Sequence, residues 1–152
     1  MTRYHLAQIN IAKAVAALDS PVMAGFVSRL EEINAMAERA KGFVWRLQSE
    51  GGDATSIHVF DDPDIYINMS VWETPDDLKN FVYRTAHVEL LRDREAWFRR
   101  LSEQHQAAWW VPAGHRPSPL EGRERLLMLR ERGPTASSFT LARPFESPAE
   151  RA

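Results

Sequence analysis

Residues 4–12 alternate between Ala7, Ile9 and Ile11 on one side and Leu6, Gln8 and Asn10 on the other, the period-two pattern of a strand. Ser20-Pro21 then supplies a helix start, an N-cap followed by proline at the first helical position. Met23, Phe26, Leu30, Ile33 and Ala37 recur at helical spacing, and Gly42 ends the helix as a left-handed C-cap. A second strand is predicted over 43–48, broken by Glu50-Gly51-Gly52-Asp53. Residues 56–60 continue it as an extended edge or a short extra strand.

After the Asp61-Asp62-Pro63-Asp64 turn comes the most informative stretch, "YINMSVW" (66–72), within a strand over 65–72. Ile67, Met69 and Val71 point one way, and Tyr66, Asn68, Ser70 and Trp72 the other. Thr74-Pro75-Asp76-Asp77 starts a second helix, with carboxylates in its positive first turn. It is expected to reach about Glu103, broken near Thr85, and a fourth strand occupies 107–112. A capping box at Ser118-Pro119-Leu120-Glu121 opens a third helix that ends at Gly133-Pro134. A short strand at 138–142 is expected on a sheet edge, and 144–152 as a flexible tail.

The order β-α-β-β-α-β predicts an α+β, ferredoxin-like sheet with helices on one face. One domain spans 1–143, with 113–143 as a C-terminal extension. Ile67, Met69 and Val71 are assigned beneath the helices. The other sheet face then has no cover within the chain, so a homodimer pairing sheet against sheet is expected.

Composition adds little against this reading. The 152 residues carry 44% hydrophobic and 26% charged side chains and a net charge of −2, which gives no electrostatic footprint for nucleic acid or an anionic membrane. There are no cysteines, which excludes disulfides and thiol nucleophiles. No apolar run approaches membrane-spanning length and the N-terminus lacks a signal-like apolar core, so a cytoplasmic protein is expected. No metal site is expected either. No two histidines stand at i,i+4, and Asp61, Asp62 and Asp64 lack the glycine and glutamate of a calcium loop.

The chemistry concentrates on the polar sides of the strands. Gln8, Arg46, Tyr66, Asn68, Ser70, Trp72 and Trp110 share one sheet face, as aromatic walls with a few placed polar groups do in a small-molecule pocket. An internally paired polar network is the plainer alternative. His87, with Tyr83 one turn earlier, is the candidate for proton transfer near neutral pH. His115, in "GHRP", is placed in a loop over the cavity mouth. His5, His58 and His105 fall on positions that read as structural or exposed.

"YHLAQINIAK", "GFVWRLQ", "INMSVWE", "FVYRTAH", "AWF", "WWVPAGHRP" and "LRERGPTASSFT", in order from about residue 4 to 142, resemble a bacterial domain-of-unknown-function family, number 3291. That family is similar to the dimeric α/β-barrel superfamily, which includes antibiotic-biosynthesis monooxygenases and haem-degrading enzymes. The resemblance implies a cofactor-independent monooxygenase acting on an aromatic or polyketide-like substrate. Asn10 then matches its asparagine and His87 its helical histidine, with Asn10 and Asn68 holding the developing oxyanion. The helical tryptophan of that pattern is absent, and Phe81 lies nearest. Haem binding with His87 as axial ligand is the alternative the same superfamily implies. A non-catalytic small-molecule-binding or structural dimer is the third reading.

Overall fold

The computed structural model describes residues 3–49, 52–86 and 95–151. Its chain is α+β, built on one antiparallel sheet. The strands are β1 (Tyr4–Ala14), β2 (Phe43–Arg46), β3 (Ile65–Trp72), β4 (Phe98–Arg99) and β5 (Gln106–Pro112). β1 is central, with β3 on one side and β5 and the short β4 along the other, and β2 lies outside β3. This is the ferredoxin-like strand order.

A 3-10 turn (Pro21–Met23) leads into α1 (Ala24–Arg39). Ser20 precedes it without capping, because its hydroxyl donates back to the Ala17 carbonyl. α2 (Pro75–Asn80) begins as expected, the Asp77 N–H donating to Thr74 Oγ1 at 3.1 Å. It passes into a π-helical turn over Phe81–Ala86. α3 (Pro119–Arg132) is capped by Ser118, whose Oγ accepts from the Glu121 N–H. Only half of the expected capping box forms there, since the Glu121 carboxylate is used elsewhere.

Three expected elements take other forms. The second helix does not extend to Glu103, because Phe98–Arg99 pairs with Lys13–Ala14 as β4 and the Val15 N–H donates to the Trp97 carbonyl. Burying Trp97 beside Met23 and Ala14 outweighs the helical spacing of Phe98 and Leu101. Residues 56–60 form no strand, although Ile57, Val59 and Phe60 pack against the sheet. The expected edge strand near 138–142 reduces to one bridge, with Ala108 and Phe139 exchanging two backbone hydrogen bonds.

The main correction concerns the sides of the sheet. α1 and α2 do not cover Ile67, Met69 and Val71. They cover the other face, where Trp72, Leu6 and Ala108 cluster with Ala37, Leu78 and Phe81. The Ile67–Met69–Val71 face is buried by α3, through Leu126 and Leu129, together with the 57–60 segment. Gly122 marks how closely α3 lies: a Cβ there would stand 2.8 Å from Met69 Sδ and 3.0 Å from Ile9 Cδ1. The uncovered face that motivated a sheet-to-sheet homodimer is therefore closed by the chain itself. The expected tail also follows the edge. Trp110 Nε1 donates to the Phe145 carbonyl at 2.8 Å, and a last turn, α4 (Pro148–Arg151), follows.

Candidate functional site

Period-two geometry and the strand register set side chains on the helix-facing surface in rows. Trp72, Leu6 and Trp110 form the first, Ser70, Gln8 and Ala108 the second, and Asn68, Asn10 and Gln106 the third. The rows run from apolar to polar. Trp72 is the wall at the closed end, with the Phe81 ring stacked on it at 5.3 Å and Phe43 edge-on at 5.6 Å. Phe81 belongs to the π-helical turn, a local distortion that recurs at functional sites.

Gln8 and Ser70 are buried, and an unpaired polar group in that position costs ~1–3 kcal/mol. They pair with each other. Gln8 Nε2 donates to Ser70 Oγ and to Asn68 Oδ1, both at 2.8 Å, and Trp72 Nε1 donates to the same Ser70 oxygen at 2.8 Å. Gln8, Ser70, Asn68 and Trp72 thus form one internally paired network, the plainer of the two arrangements that the sequence left open. Asn10 and Asn68, directly opposite each other, are exposed, so the polar rows open to solvent at that end.

The other expected site residues are dispersed. Arg46 stands opposite Ser70 in register, but its guanidinium is largely covered and pairs with Glu38 of α1 at 2.9 Å. Tyr66 lies at the far end of the face, near Met23 and Phe26, with the His58 ring 5.3 Å away. Burial, then the Asp64 and Asp19 carboxylates, raise its phenol pKa above the ordinary 10, so Tyr66 is a neutral donor rather than a base. Tyr83 is exposed on the π-helical turn. His87 lies outside the described residues.

His115 does not sit over the polar rows. It lines a separate hollow of about 440 Å³ at the start of α3, with Trp110, Pro112, Leu120, Glu124 and Arg125. There its Nε2 is 2.7 Å from Glu121 Oε1, while Glu121 Oε2 accepts from the buried Trp109 indole at 2.9 Å. Trp110 is on the expected face, but its N–H is committed to Phe145.

Gln106 completes the third row and lies outside the sequence expectation, because a strand over 107–112 stops one position short of it; extending the alternation of Ala108 and Trp110 by two residues reaches it. The second and third rows, among the described residues, present the amides of Gln8, Asn10, Asn68 and Gln106 rather than an apolar slot for a macrocycle, and His87, the expected axial ligand of a haem, lies outside the described residues. Among the described residues no three His, Asp or Glu side chains converge as a metal site, and no helix is long and apolar enough to cross a membrane.

A family model described as a domain of unknown function, DUF3291, matches residues 5–152. No curated protein matches the chain. Among solved structures, SnoaB, a cofactor-independent oxygenase from Streptomyces nogalater, is 15% identical over 76% of this chain and 96% of its own, with a TM-score of 0.46. The NE2512 protein of unknown function from Nitrosomonas europaea is 11% identical over 76% and 95%, with a TM-score of 0.47. A dabb family protein with a ferredoxin-like fold from Mesorhizobium loti is 10% identical over 75% and 98%, with a TM-score of 0.42.

Proposed function

The chain belongs to the domain-of-unknown-function family DUF3291, and for this member we propose a small-molecule enzyme that works at the helix-facing polar rows, as a cofactor-independent monooxygenase of aromatic or polyketide-like substrates. The observation that carries this reading is the Gln8–Ser70–Asn68–Trp72 network, which leaves Asn10 and the Asn68 amide open beside an aromatic wall. Amide N–H groups held in place can stabilise an oxygen that gains charge in the transition state.

In this mechanism an acidic substrate C–H gives its proton to His87. Asn10 and Asn68 hold the enolate oxygen, and Phe81, backed by the buried Trp72, flanks the ring. The substrate's own electrons then reduce dioxygen. One oxygen atom enters the substrate and the other leaves as water, carrying the two hydrogens of the oxidised carbon.

Anthrone consumption with and without oxygen tests the reaction. Oxygen-dependent quinone formation that falls at least tenfold in Asn68→Ala and His87→Ala supports it. Equal turnover in both variants refutes the assigned roles. A second reading, a structural protein without catalysis, is favoured by the pairing of Gln8 and Ser70 with protein groups. Absence of both turnover and bound ligand in native mass spectra would support that reading, and bound ligand without turnover would instead favour a non-catalytic small-molecule binder.

A further inference from the structure

Asn68, Asn10 and Gln106 form one row across three strands, with neighbouring strands ~4.8 Å apart and the row about 10 Å from end to end. An amide has an acceptor end and a donor end, and the fold has used the acceptor ends of both outer residues. Gln8 Nε2 donates to Asn68 Oδ1 at 2.8 Å, and the Leu141 backbone N–H donates to Gln106 Oε1 at 3.3 Å. A backbone N–H can only donate, so the Gln106 oxygen is the end committed to Leu141. Gln106 Nε2 is buried and has no acceptor among the described residues.

Buried donors without acceptors are rare in folded proteins, and each one calls for an explanation. Here the unspent donor lies in register with the open asparagines, on the face where the network already ends in the Asn68 NH2 group. We propose that Gln106 is a specificity-determining residue of this site, and that the row selects ligands through acceptor oxygens. The class it takes is a flat ring system with carbonyl, enolate or phenolate oxygens on opposite edges. Ligands presenting N–H donors at those edges bind more weakly, since the amide oxygens of Asn68 and Gln106 each already accept one hydrogen bond. The inference rests on the proposed small-molecule site and goes beyond it by fixing the polarity of the ligand and adding a residue from β5.

Gln106→Glu gives a sharp test, because it keeps an oxygen for Leu141 and replaces only the NH2 group by a second acceptor. Calorimetric titration of the full chain with 1,4-naphthoquinone and with 1,4-diaminonaphthalene reads the preference. The wild-type chain is expected to bind the quinone at least tenfold more tightly than the diamine. Gln106→Glu is expected to erase or invert that ratio. Should Gln106→Glu fail to fold, judged by circular dichroism, Gln106→Met is expected to weaken the quinone about tenfold and leave the diamine unchanged. A quinone preference lost in Asn68→Ala but intact in the Gln106 variants overturns the inference and leaves the site standing. If neither compound binds the wild-type chain, the inference falls, and unchanged anthrone turnover in Asn68→Ala separately removes the site reading beneath it.

Discussion

The indole N–H of Trp72 donates to the hydroxyl oxygen of Ser70, two residues earlier on the same strand, at 2.8 Å. The bond ties the aromatic wall to the polar network, so that ring position and amide position are set together. Ser70→Ala would leave Trp72 Nε1 and one Gln8 proton without an acceptor in a buried setting. The expected loss is about 2 kcal/mol of unfolding free energy. Urea denaturation checks it, and a change within a few tenths of a kcal/mol would show that the network is not holding the fold.

Gly122 lets α3 lie on Met69 and Ile9. Adding one methyl group there compresses the Met69 side chain, which is flexible and can give way partly. Gly122→Ala is therefore expected to cost ~1–3 kcal/mol, the usual range for overpacking a core, and Gly122→Val more. Thermal unfolding measures the loss, and binding of a hydrophobic dye would report sheet surface uncovered as α3 lifts.

Glu121 serves two donors, the buried Trp109 indole and the half-exposed His115. Glu121→Ala is expected to cost about 2 kcal/mol, chiefly by orphaning the Trp109 N–H. His115→Ala should cost less than ~1 kcal/mol, because exposed pairs contribute little. Equal losses in the two variants would contradict this division.

Tyr66 gives an alkaline signature. Its folded pKa is raised above the unfolded value near 10, so its contribution to stability is present below pH ~10 and is lost as pH rises through the folded pKa. Tyr66→Phe is expected to flatten the fall in unfolding midpoint above pH ~10 relative to the wild-type chain. Parallel slopes for the two proteins would refute the assignment, and an absorbance titration of the phenolate gives an independent reading.

Local chemistry was the legible part of the sequence. The strands at Tyr4–Ala14 and Ile65–Trp72 declare themselves by alternation, and Thr74 and Ser118 by cap residues that act within one turn. The grouping of Gln8, Asn68, Ser70 and Trp72 followed from the same period. Which helix covers which face did not. Leu6, Phe43 and Trp72 make the polar side apolar at one end, so both faces carry core residues and alternation alone cannot tell them apart. The cover of the Met69 face comes from Leu126 and Leu129, some sixty residues later, and no short-range pattern connects them. Phe98 kept helical spacing but followed the open edge of β1, where unpaired backbone groups were available.

The placement of α3 has a consequence for how this fold behaves on dilution. A sheet whose second face is closed by another molecule draws part of its stability from mass action, and that part shrinks as concentration falls. Here Ile9, Met69 and Trp109 are buried by Leu126 and Leu129 of the same chain. Closure of this face is an intramolecular event, so the stability it contributes is set by sequence rather than by how much protein is in the tube.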